Sequence, residues 1–68
     1  MIFLATKQKR IELTQRKLAR RTGELAAVEA IIHQAADTVP GHLIQAKIDL
    51  SGEVAALKRY LQQLGAEP

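Results

Sequence analysis

The seven residues DTVPGHL, Asp37 to Leu43, decide the fold. Pro40 has no backbone N–H and pushes Val39 toward an extended conformation, so a helix arriving from the N-terminal side ends here. Gly41 loosens the joint, and Thr38 or Asp37 offers a side-chain oxygen to cap the helix that follows.

Both flanks of this break carry a seven-residue apolar repeat. Before it, Leu4, Ile11, Leu18, Leu25, Ile32 and Val39 recur at that interval. After it come Leu43, Leu50, Leu57 and Leu64, with Lys47, Val54 and Leu61 at the alternate positions of a 4–3 spacing. Alanine, leucine, glutamine, lysine, arginine and glutamate, which form helices readily, dominate the composition. The pattern predicts an all-α chain: an antiparallel two-helix hairpin with a long helix over about residues 3–37, a turn at 38–40 and a second helix over about 41–65. At 68 residues the chain is read as one domain, 1–68.

Gly23 sets the competing expectation, a break at RRTGEL that gives three helices. Phase favours continuity, because Leu18 and Leu25 flank Gly23 on one register and a turn would shift it. An isolated glycine costs a helix about 1 kcal/mol relative to alanine, which a long helix tolerates.

The companion positions of the first stripe are Lys7, Thr14, Arg21, Val28 and Ala35. The seam is thus expected to be narrow before Arg21 and wide after it, where Ala26, Ala27, Ala30, Ile31 and Ala36 broaden it. Helix 2 is shorter by about ten residues, roughly 15 Å at the helical rise, so it is expected to reach back only to about residue 15. Residues 1–15 would form a basic helical overhang, with Ile2, Phe3, Leu4 and Ile11 unpartnered. A hairpin also covers only one side of each stripe. Both points lead to self-association, a homodimeric four-helix bundle whose seam is Leu4, Ile11, Leu18, Leu25, Val28, Ile32, Leu43, Leu50, Val54, Leu57, Leu61 and Leu64.

The one chemical anomaly is KQKRIELTQRKLARR, Lys7 to Arg21. It holds seven of the ten basic residues and a single acid, Glu12. On a helix these form two rows, Lys9, Arg16, Arg20 and Arg10, Lys17, Arg21, with Leu13 between them. Like-charge pairs four apart disfavour a helix by about 0.2–0.5 kcal/mol each; Glu12 beside Arg16 and Glu24 beside Arg20 offset part of this. Four readings stand: a solvated face, a polyanion-binding face that neutralises phosphates, a face for an acidic protein, or a membrane-surface face with Met1, Phe3 and Leu4 in the lipid boundary. Aromatics to stack bases are not interleaved, and no nucleic-acid-binding motif is present.

Other chemistry is sparse. There is no cysteine, hence neither a disulfide nor a thiolate metal site. MIFLA is too short for a signal-peptide core or a membrane span. Glu29, His33 and Asp37 are spaced by four with His42 nearby, a spacing that suits metal ligands but equally a histidine near a helix C-terminus. Ser51 lies in no nucleophile motif, and no glycine loop would cradle a phosphate. No cofactor, no metal and no enzymatic activity are expected. The expected role is a cytoplasmic, non-enzymatic helical interaction protein (an adaptor, assembly factor or cochaperone) that binds itself and another protein. The alternative is a regulator that binds RNA or DNA through the basic face.

Overall fold

The computed structural model describes residues 6–35 and 37–66. Two helices, α1 (Lys7–Ala35) and α2 (Gly41–Gln63), pack against each other as an antiparallel hairpin, and there is no strand among the described residues. Gly23 lies inside α1 and Gly52 inside α2, so neither breaks its helix and the three-helix alternative falls.

Each helix end has a local cause. Thr6 Oγ1 accepts a hydrogen bond from the Lys9 N–H at 3.1 Å, which caps one orphan donor of the first turn at the start of α1; the expected start near residue 3 lies outside the described residues. α1 stops at Ala35, whose carbonyl accepts from the Thr38 N–H at 3.2 Å, and Asp37 already belongs to the turn. The expected cap of α2 by Thr38 or Asp37 does not form. Pro40 occupies the cap position with φ −59° and ψ 139° and no side-chain bond. Its ring holds it in the extended conformation that a cap residue needs, and its carbonyl accepts from the Leu43 N–H at 3.0 Å.

The C-terminal end of α2 is closed by a glycine that the hydrophobic pattern does not announce. Gly65 has φ 83°, the left-handed region. Its N–H donates to Gln62 O at 3.0 Å and the Ala66 N–H donates to Leu61 O at 2.9 Å. This pair of bonds is the Schellman motif, and its usual apolar contact is present because Ala66 packs on the core beside Leu61.

The core sits at the open end of the hairpin, away from the turn. Leu61 is fully buried, Leu18 and Val54 nearly so, and Ile11, Leu25, Leu57 and Ala66 pack around them. Thr14, a polar seam position, is buried there too, its hydroxyl donating to Arg10 O at 2.7 Å so that it is not left unpaired. The wide seam expected after Arg21 is instead the looser half. Val28, Ile32, Leu43 and Leu50 are only half-buried, while Ile31, Ile44 and Ile48 are exposed. Composition widened the stripe there, but a second helix covers one line of it, and the surplus isoleucines lie off that line.

The hairpin also closes further along α1 than residue 15. Ile11 packs on the core, and Lys7 Nζ lies 3.7 Å from where a Cβ at Gly65 would sit. Residues 7–15 of the expected overhang therefore run beside the end of α2 and its cap. Lys7 also brings a positive charge to the C-terminal end of α2, which has no basic residue in its own last turn.

Glycine substitutions separate these local causes. No atom lies within 4 Å of a Cβ built at Gly23, so Gly23→Ala is expected to stabilise by about 0.4–1 kcal/mol. Gly65→Ala has room but the wrong φ and is expected to destabilise by about 1–2 kcal/mol. Urea denaturation followed by circular dichroism reads both signs.

Candidate interaction surfaces

Two ion pairs cross between the helices, one on each side of the hairpin. Arg21 reaches Glu24 on its own helix, Nη1 to Oε2 at 2.8 Å, and Glu53 on α2, Nε to Oε1 at 2.9 Å. The contact with Glu24 is a hydrogen bond. The Nε–H does not line up with Glu53, so that contact is ionic. On the other side Lys47 Nζ stands 4.0 Å from Glu29 Oε2, both side chains about half exposed. The hydrogen bond from Arg21 to Glu24, then the charges of Glu24 and Glu53, raise the Arg21 pKa. Arg21 is thus a structural cation that ties the helices together at mid-height.

That removes one member of the predicted polyanion-binding set. The other five, Lys9, Arg10, Arg16, Lys17 and Arg20, are exposed, and among the described residues none makes an ion pair. The expected relief of Arg16 by Glu12 is not seen, and Glu24 serves Arg21 rather than Arg20. The first turn of α1 has no acidic residue, although the positive end of the helix dipole lies there. Lys7, Lys9 and Arg10 add to that potential instead of balancing it. α1 thus presents a concentrated, unneutralised positive surface along its first four turns.

The predicted seam is now mostly interior to the hairpin. Leu18, Val54 and Leu61 are buried, and Ile11, Leu25, Val28, Ile32, Leu43, Leu50, Leu57 and Leu64 are half-buried. Leu4 lies outside the described residues, as do Met1, Ile2 and Phe3. The apolar side chains left at the surface are others: Leu13 at 50%, Ile31 at 49%, Ile44 at 47%, Ile48 at 58% and Tyr60 at 40% exposure. Ile44 and Ile48 escaped the sequence reading because they fall off the seven-residue lines, and that displacement was the signal.

Helical spacing sorts these five. Leu13, Arg20, Glu24 and Ile31 are seven, four and seven apart and share one line of α1. Glu24 and Glu53 both hold Arg21, so this line lies on the side of α2 that carries Glu53 and, seven residues on, Tyr60. Ile44 and Ile48 lie instead toward the side of Lys47. Asp37 sits in the turn rather than continuing the helical spacing of Glu29 and His33, and among the described residues no three such side chains gather as metal ligands. No described helix is long and apolar enough to cross a membrane. No family model, no curated protein and no solved structure matches this chain.

The two classes of arginine are expected to behave differently on neutral replacement. Arg21→Gln should lower the melting temperature, with a smaller drop in 1 M salt where ion pairs are screened. Arg16→Gln, which relieves its like-charge neighbour Arg20, should leave the melting temperature unchanged or raise it. Circular dichroism melts at low and high salt make the comparison.

Proposed function

We propose that this protein is a non-enzymatic helical interaction module that works by self-association and helix–helix contact. The observation that carries this is the small core. Among the described residues only Thr14, Leu18, Val54 and Leu61 are buried, while Leu13, Ile31, Ile44, Ile48 and Tyr60 stand in solvent. A hairpin 14 Å in its shortest dimension is one helix thick, so every helix has a bare side. Small domains of this kind gain stability from a second layer, and two hairpins stacked as a four-helix bundle supply it. Such a dimer then offers helical surface to a further protein, the part an adaptor, assembly factor or cochaperone plays in a cytoplasmic setting.

Sedimentation equilibrium between about 1 and 100 μM tests the reading. Wild type is expected as a dimer with thermal stability that rises with concentration. Leu57→Asp places a charge among half-buried leucines and should abolish both helicity and dimer. A monomer that stays fully helical at 100 μM overturns it.

A second reading rests on a separate observation, the five exposed cations Lys9, Arg10, Arg16, Lys17 and Arg20 of α1, none of which makes an ion pair among the described residues. Under it the protein contacts the phosphates of RNA or DNA. Binding would fall steeply with salt, by a slope of about −0.9 per phosphate contact on duplex DNA. Arg16→Glu with Arg20→Glu is expected to flatten that slope by about two contacts while the seam stays intact. Titrations at low and near-physiological salt decide it: equal binding by wild type and double mutant, or none by wild type at low salt, leaves the face merely solvated.

A further inference from the structure

Folding sorts charge along the hairpin as well as covering leucines. Level with Arg21 and Glu53 the molecule divides in two. The open half, residues 6–21 and 54–66, carries nine basic residues and one acidic. The turn half, residues 22–53, carries one basic and five acidic. The fold adds Lys58 and Arg59 to the basic end and sets Asp49 and Glu53 among the acids of the other. A rod with extents of 53 × 26 × 14 Å is thus positive at one end and negative at the other.

The exposed apolar residues follow a matching plan on one side only. On the side of the Arg21–Glu24–Glu53 cluster, Leu13 stands in the open half and Ile31 in the turn half, on one line of α1, with Tyr60 roughly level with Leu13. Arg20 and Glu24 lie between them on that line. The midpoint of Leu13 and Ile31 is also the midpoint of Arg20 and Glu24. On the opposite side Ile44 and Ile48 both lie in the turn half, and no large apolar residue of the open half is exposed there.

We propose that a second copy of this chain covers the Leu13–Ile31–Tyr60 side, antiparallel to the first, with the basic half of each over the acidic half of the other. This rests on the self-association reading and specifies its geometry. A two-fold axis across the middle of that side sets α1 against α1 of the partner in opposite directions. Each Leu13 then meets the other copy's Ile31, and each Arg20 meets the other copy's Glu24, the reciprocity that a two-fold interface requires. Stacking the copies in parallel would place nine basic residues over nine. The face, 53 × 26 Å in extent, exceeds the roughly 800 Å² per partner of a standard interface. Lys9 and Arg16, four before and three after Leu13, lie at the edge of this contact on the far side of the line from Arg21.

Disulfide trapping tests this directly, since the chain has no cysteine of its own. Leu13→Cys and Ile31→Cys are made as separate single variants; both positions are about half exposed, so the hairpin tolerates them. In the antiparallel dimer the two cysteines of either variant alone lie roughly 27 Å apart, far beyond disulfide reach. Mixed under mild oxidant, the two variants are expected to form a heterodisulfide at twice the 7.5 kDa monomer mass at least about tenfold faster than either forms a homodisulfide. Ile31→Asp is expected to raise the dimer dissociation constant at least about tenfold while helicity stays at the wild-type level. Salt is expected to weaken the wild-type dimer.

The failures are distinguishable. A wild type that sediments as a monomer overturns self-association and this geometry together. A wild-type dimer that gives no heterodisulfide, or gives homodisulfides as fast, overturns only the geometry. A homodisulfide from Ile48→Cys would then place the contact on the opposite side, and a dimer strengthened by salt would remove the charge argument.

Discussion

Leu61, closed off from solvent between Leu18 and Val54, is the contact on which the other features converge. A helix in a two-helix hairpin buries one stripe, so the molecule has a single line along which to exclude water. The densest part of that line is at the open end. There the Thr14 hydroxyl turns to its own helix, Ile11 closes the flank and the capped end of α2 lays Ala66 on the cluster. The surface features follow from this concentration. With the seam spent on the hairpin's own interior, the residues left to meet anything else are those off the line.

The hairpin was largely legible in the sequence because its determinants are local and periodic. Pro40 stops one helix and starts the next, and the leucines either side keep their phase. The depth of packing was not legible, because periodicity says which side chains face inward and not how far the partner helix encloses them. The polar residues at Thr14 and Arg21 made the first half look weak. In the structure one satisfies its hydroxyl by back-bonding and the other reaches out to two carboxylates. Gly65 lies just outside the apolar repeat, which ends at Leu64, so periodicity does not mark it, although a glycine just past the last periodic residue is the usual sign of a left-handed cap. Of the candidate site, the basic rows were legible as residues. That Arg21 belongs to the scaffold and the other five do not needed the position of Glu53, which is remote in sequence.

The two functional readings compete for the same surface only in part. The inner row, Arg10, Lys17 and Arg21, faces the side of the Arg21–Glu24–Glu53 cluster, and Arg20 lies on the line of Glu24. A second copy there would neutralise those charges. Lys9 and Arg16 stand further round α1, at the edge of that contact, so a polyanion and a partner hairpin would meet there. The unbalanced N-terminal turn, with cations where the helix dipole favours anions, is a local cost to α1. Lys7 recovers something by lying close to the C-terminal end of α2, where the field has the opposite sign.

Placing the core at the open end has a kinetic consequence. Leu18 and Leu61 are 43 residues apart in the chain, well beyond the pairs that close first beside the turn. Zipping up from the turn would first pair half-buried residues beside exposed isoleucines, where little water is expelled. The main gain comes only after nearly the whole length has aligned. Loop closure rises slowly with length, about 0.6 kcal/mol per doubling, so this is not prohibitive, but it withholds reward until late. Intermediates closed only near Pro40 would therefore stay scarce, and the chain would order as a unit. During synthesis on a ribosome the first helix would wait for Leu61 to Ala66 to emerge before it had anything firm to pack against.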